Sequence, residues 1–292
     1  MKLFYDCEFL EGKQDKRFLG IKYGETKPTI DLISIGIVTE IKPLKYKDGS
    51  GDSKYSSSRE YYAVSKDFNL KEAWNRHDLK KVYPDDTDEG SYSIKDYLIR
   101  NNVIKPIFEE LSVKMAEESN MAKRIGIYSG FESYAFNYKN TEKLIQRYGK
   151  SKTQIQFEIL QFALDSDGKG FDNWLGFSSD YYSALKEAKE PKIELYGYYS
   201  AYDHVLLSWI FGKMSDLPKS FPMFTIDLKQ ILDEKQKYFI DLSRAKNRRK
   251  GFGVVPTFDL KKSENYPKQK DEHNALADAR WNYELYKFIQ SL

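Results

Sequence analysis

Two acids, Asp6 and Glu8, stand two residues apart inside an otherwise apolar, β-rich run, KLFYDCEF at 2–9. Side chains alternate between faces along an extended strand, so both carboxylates point to one side of one sheet. Two buried like charges are costly unless a cation compensates them, and hard carboxylate oxygens select Mg²⁺ or Mn²⁺ over zinc. The competing reading is an exposed edge strand whose polar face happens to be acidic.

Two more β-runs follow, IDLISIGIV at 30–38 and REYYAVS at 59–65. With the first they predict an antiparallel meander at the edge of a mixed sheet. The polar stretch GKQDKRFLGIKYGETKP reads as a long hairpin connection or small extension, and KYKDGSGDSKYSSS as a surface loop. The pattern then turns helical. Ile94, Leu98, Ile99, Val103, Ile107, Leu111 and Met115 follow a 3.6 period over 94–115, with Pro106 expected to kink or divide the helix. A second helix is expected over 151–164, with Ser151 as its N-cap. IELYGYYSAYDHVLLSWIFG at 193–212 predicts a strand running through a tyrosine-rich turn into a helix ended by Gly212. A short strand and helix at 224–232 and a C-terminal helix over 275–290 complete the order β-β-β-α-β-α-β-α. That order predicts a single α/β domain over 1–292, with a mixed central sheet flanked by helices in an RNase H-like layout. Insertions are expected at about 11–28, 78–97, 113–150 and 165–190.

Asp203 falls where the predicted strand gives way to a helix. Alone it reads as a helix-capping acid that complements the macrodipole. In HNALAD, His273 precedes the last helix and Asp278 lies about a turn into it, which brings both toward the mouth of a site if the histidine is on the entering loop. None of these elements is specific singly.

Their joint order, D-x-E on the first strand, an Asp at a mid-chain strand-to-helix junction and H-x-x-x-x-D opening the last helix, resembles the DEDDh 3′-5′ exonuclease superfamily, whose fold is RNase H-like (DnaQ-like). Asn274, where a tyrosine subclass would differ, agrees with the histidine subclass. The blocks FYDCEFLEG, IDLISIGIV, EYYAVS, NNVIKPI, YSAYDHVLL, FPMFTIDLKQIL and EHNALADARWN further resemble the mycobacterial-type, RNase T-like 3′-5′ exoribonuclease family named for polyadenylate-directed activity. They cover about half of the chain. Cys7 departs from the Thr common between the two acids in that family, and its side chain is expected in the opposite layer.

The resemblance implies two Mg²⁺ or Mn²⁺ ions: Asp6 bridging both, Glu8 and Asp278 completing one site, and Asp203 supporting the second. It implies His273 as general base, a role that an imidazole with an ordinary pKa near 6.5 suits at neutral pH. The implied products are nucleoside 5′-monophosphates, released from the 3′ end of single-stranded RNA or an RNA 3′ overhang. DNA 3′ ends are the alternative substrate, and a catalytically inactive nucleic-acid-binding module the alternative class. A homodimer is compatible with the family.

Phe9 and Leu10 follow the acids and are candidates to abut the terminal base or sugar. Tyr199 and Tyr202 flank Asp203 and are candidates to stack on a base. The run RAKNRRKG at 244–251 is expected to be a Gly-ended loop, solvated or, through Arg248 and Arg249, tracking phosphates. Asp227 reads as a cap or supporting acid, and Arg280 as the partner of a core acid. A formal net charge of +3 means that any cationic surface is local, and one cysteine excludes an intramolecular disulfide framework. No apolar run reaches the roughly 20 residues that span a bilayer, and MKLFYDCEFL lacks the pattern of a leader. The expectation is a soluble cytoplasmic protein with no membrane partner.

Overall fold

The computed structural model describes residues 1–19, 21–40, 58–82, 92–124, 134–164, 187, 189, 192–249 and 259–292. The fold is α/β. The chain divides into two compact units, one of Met1–Cys7, Ile35–Tyr62 and Gln156–Leu292, the other of Glu8–Ser34 and Ala63–Ile155.

A five-stranded sheet has the order β5-β4-β1-β8-β9, with β1 at Lys2–Gly12, β4 at Thr29–Glu40, β5 at Ser58–Val64, β8 at Glu194–Gly197 and β9 at Ile226–Asp227. Strand β1 is central and pairs parallel with β8 from Lys2↔Glu194 to Phe4↔Tyr196, and β8 pairs parallel with β9. The three early strands are neighbours in the expected order.

Helices α5 at Ala201–Phe211, α6 at Leu228–Arg249 and α7 at Ala275–Ser291 belong to the first unit, which α4 at Lys152–Leu164 joins from Gln156 onward. Their starts obey local chemistry. The Ser151 hydroxyl accepts the Gln154 amide, and Asn274 Oδ1 accepts the amides of Leu276 and Ala277, so α7 begins at the residue after it. Helix α5 ends at Gly212, whose φ of 121° suits a residue without Cβ. Phe4, Tyr196, Leu228, Leu232, Trp281, Leu285 and Phe288 form one buried cluster that joins the sheet to α6 and α7. On β5, the Tyr61 hydroxyl donates to Glu158 of α4 at 2.9 Å.

The second unit holds two antiparallel hairpins. The first joins β2 (Asp15–Phe18) to β3 (Ile21–Glu25) within the segment read as a connection or small extension, and the second joins β6 (Asp78–Val82) to β7 (Tyr92–Asp96). Ile94 therefore belongs to a strand, not to the helix its spacing suggests. Its neighbours Val103, Ile107 and Leu111 are buried as predicted. A π-helical turn, Ile99–Ile104, leads into α2 at Lys105–Arg124, and the Lys105 amide bonds to the Arg100 carbonyl five residues back. Pro106 thus enters at the second residue of α2. Helix α1 at Leu70–Asn75 and α3 at Tyr138–Tyr148 complete this unit, each N-capped by an asparagine, Asn69 and Asn137.

The proposed loop at 244–251 is corrected in part: residues through Arg249 continue α6, and the remainder lies outside the described residues. Cations and polar residues without glycine or proline extend a helix readily. The surface-loop reading of KYKDGSGDSKYSSS falls almost wholly outside the described residues, as do most of the insertion at 165–190 and parts of those at 78–97 and 113–150. Among the described residues, no helix is long and apolar enough to cross a membrane.

Candidate active site

The site forms past the last paired residues of β1 and β8. Pairing is registered through Phe4↔Tyr196, β8 ends at Gly197, and the chain turns into α5. Beyond that point side chains take the backbone groups of β1. Asn282 of α7 donates to the Tyr5 carbonyl at 3.0 Å, and Asp203 Oδ1 accepts the Cys7 amide at 3.0 Å. The turn is tight: a Cβ on Gly197 would stand 2.7 Å from the Ser200 Cβ.

Asp6, Glu8 and Asp278 converge. One carboxylate oxygen from each lies within 4.8 Å of the others. Asp6 and Glu8 reach the group by the alternation of β1, and Asp278 from the first turn of α7. The close approach of α7 depends on Gly36 of β4, where an added Cβ would meet the Ala275 carbonyl oxygen at 2.3 Å. Three hard oxygen donors so close suit Mg²⁺ or Mn²⁺.

The other two residues read from the sequence are tied to this group indirectly. Asp203, 5% exposed, is not a member of the three-carboxylate group; it is held by the Cys7 amide, and the Cys7 thiol is a second hydrogen-bond partner. Cys7 is buried and out of phase with Asp6 and Glu8 on β1, and the acid it meets is Asp203, which stands outside the three-carboxylate group. Burial pushes the Asp203 carboxyl up to about 7, against the lowering effect of these hydrogen bonds, and the charge of Asp227 adds to the rise. His273 has an exposed side chain and a left-handed backbone, φ 68°. Its amide donates to Asp278 Oδ2 at 3.0 Å, while the Gln269 side-chain amide donates to Oδ1 at 2.6 Å. Burial raises the Asp278 carboxyl, opposed by these two bonds.

Beneath Asp203 lies a polar chain. The Tyr5 hydroxyl shares a hydrogen bond with Thr225 at 2.6 Å, and Thr225 meets His204 Nδ1 at 3.1 Å. Burial and the neighbouring Asp203 charge hold Tyr5 protonated far above the usual phenol range, and burial lowers His204.

The candidate substrate contacts separate. Tyr199 and Tyr202 are exposed at 65% and 51%, and Phe9 is half-buried. Leu10 is corrected: it is 0% exposed and packs in the core, offering no surface to a substrate. Arg248 and Arg249 lie in the last turn of α6. Asp227 is a cap, its Oδ1 accepting the amides of Lys229 and Tyr199. Arg280 forms a two-pronged pair with Glu60 of β5 at the surface, not with a core acid. Sequence reasoning missed Gly36, Gln269 and Asn282. An isolated glycine in an apolar strand signals a close backbone approach, which could have found Gly36; Gln269 and Asn282 carry no such signal.

No family model matches the chain. It is similar along its full length to two 3′-5′ exoribonucleases of Mycobacterium tuberculosis, from strains CDC 1551 / Oshkosh and H37Rv. Each is 24% identical over 291 residues, covering 100% of this chain and 94% of the relative.

Proposed function

We propose that the chain is a metal-dependent 3′-5′ exoribonuclease of the DEDDh type on an RNase H-like fold, releasing nucleoside 5′-monophosphates from RNA 3′ ends. The convergence of Asp6, Glu8 and Asp278 carries this reading, and the full-length similarity to exoribonucleases supports it. Asp6, Glu8 and Asp278 would hold Mg²⁺ or Mn²⁺, with Asp203 contributing from its anchored position on α5. Bound metal supplies an acidified water and charge stabilisation at the scissile phosphate.

The chain's own groups do the rest. Cys7 holds Asp203 in place. Gln269 and the His273 amide fix the rotamer of Asp278, as partners of ligating carboxylates do. His273, exposed on the loop entering α7, takes the proton of the attacking water.

The test incubates the purified protein with 3′- and 5′-labelled single-stranded and overhanging RNA and DNA, in Mg²⁺, Mn²⁺ or EDTA. A ladder receding from the 3′ end of RNA, abolished by EDTA, is the expected result. Equal or preferential digestion of DNA would replace the substrate assignment, and activity in EDTA would remove the metal.

A further inference from the structure

Tyr199, in the turn between β8 and α5, is not explained by the needs of the fold. Its φ of 54° puts a bulky residue in the left-handed region, where Asn or Gly would sit at less cost. The residue is 65% exposed, so burial offsets little of that strain. The turn is nevertheless pinned: Asp227 Oδ1 accepts the Tyr199 amide at 3.2 Å and the Lys229 amide at 2.8 Å, tying it to the start of α6.

The ring is the outer member of a short ladder. Tyr198 stands edge-on to Tyr199 at 4.8 Å between centroids and edge-on to Trp281 at 5.0 Å. Trp281 lies on α7 three residues after Asp278, about one helical turn. The ladder thus leads from the helix that carries a site carboxylate out to an exposed phenol face. Two cations stand along it. Lys229 Nζ is 5.7 Å from the Tyr199 ring centroid and is also paired with Asp233, and Lys261 Nζ donates to the Tyr198 hydroxyl at 3.4 Å.

One ammonium group near an exposed ring and another at the neighbouring phenol hydroxyl suit a ligand that is flat and anionic in alternation, which is the chemistry of a single-stranded polynucleotide. We propose that Tyr199 is a stacking platform for one base of single-stranded RNA, braced by Tyr198 and Trp281, with Lys229 and Lys261 taking an adjoining phosphate. The choice of RNA rests on the exoribonuclease reading.

The test measures binding of a fluorescein-labelled single-stranded RNA 12-mer by anisotropy in EDTA, where hydrolysis is blocked, with melting temperature recorded alongside. Tyr199→Asn keeps a residue that tolerates the left-handed backbone and removes the ring. It should weaken binding roughly 5- to 150-fold, which is the 1–3 kcal/mol of one stacked base converted at tenfold per 1.4 kcal/mol. Tyr199→Trp should retain affinity, and Lys261→Ala should flatten the salt dependence by about 0.7 in log–log slope. Unchanged affinity of Tyr199→Asn overturns the platform, whatever its melting temperature, and so does absence of RNA binding by the parent protein. Hydrolysis assays separate the two readings. A parent that binds RNA through Tyr199 but cleaves none keeps the platform and loses the enzyme; a parent that cleaves RNA with affinity unchanged in Tyr199→Asn does the reverse.

Discussion

The carboxylate of Asp203 accepts the amide hydrogen of Cys7 at 3.0 Å, joining the first turn of α5 to the strand that carries Asp6 and Glu8. The bond gives Asp203 a structural duty beside any role toward metal, and the two duties separate by substitution. Asp203→Asn keeps an oxygen for the amide and should melt near the parent while losing hydrolysis at least about 100-fold, the scale of a lost charge-stabilising group. Asp203→Ala orphans a buried donor and should cost about 1–3 kcal/mol in addition. Robust hydrolysis by the Asn variant would remove Asp203 from the reaction, and equal denaturant midpoints for the two variants would deny the bond its weight.

Burial pushes Asp203 up to about 7 and raises Asp278, so the folded protein holds protons that the unfolded chain has lost above its ordinary carboxyl pKa of 3.8. For a raised acid the stabilising contribution is present below the unfolded pKa and is lost as pH rises through the folded one. From these two groups, the metal-free protein should therefore lose stability between about pH 4 and 7. Mg²⁺ or Mn²⁺ requires the ionised carboxylates and should bind more tightly as pH rises, with proton release. Melting curves from pH 5 to 8, in EDTA and in metal, give the comparison: metal should stabilise most at the alkaline end. A metal effect that is the same at every pH would count against these carboxylates as ligands.

His273 sits at φ 68°, so alanine there would confound lost chemistry with backbone strain. His273→Asn tolerates the conformation and preserves the backbone donor to Asp278. Its kcat should fall by about 10²–10⁴ with metal affinity little changed. A variant that keeps its kcat assigns the base elsewhere.

Gly36 meets the Ala275 carbonyl so closely that an added Cβ would lie 2.3 Å from the oxygen. Because the obstacle is backbone, α7 must move as a body, and Asp278 with it. Gly36→Ala should cost about 1–3 kcal/mol, the scale of overpacking a core, and lower metal affinity as well as stability. Loss of stability with unaltered metal titration would show that Asp278 is placed by something other than this contact.

Much of this arrangement was legible because its determinants are local. Alternation around Asp6 and Glu8 sets which face they share, the junction before Asp203 is marked by tyrosines and glycine, and the stretch 275–290 reads as the C-terminal helix. What escaped depends on partners far away in sequence. Ile94 fits a helical period, yet its strand is fixed by pairing with Lys80 of β6. Leu10 shares the face of Asp6 and Glu8 by alternation, yet it is fully buried, because what packs over that end of the strand lies far away in sequence. Gln269 and Asn282 are ordinary amides until Asp278 and the Tyr5 carbonyl are brought to them. Alternation tells which way the Cys7 side chain points, but not that Asp203 of α5 meets it there.

Strand β8 spans only Glu194–Gly197, and its brevity has an evolutionary corollary. Were it two residues longer, ordinary ladder bonds could continue along β1 and claim the backbone groups that now anchor Asp203 and Asn282. The count of residues from Glu194 to Asp203 therefore works as a ruler. Insertions and deletions, usually tolerated between a strand and a helix, should be selected against in this interval even where every side chain is free to vary.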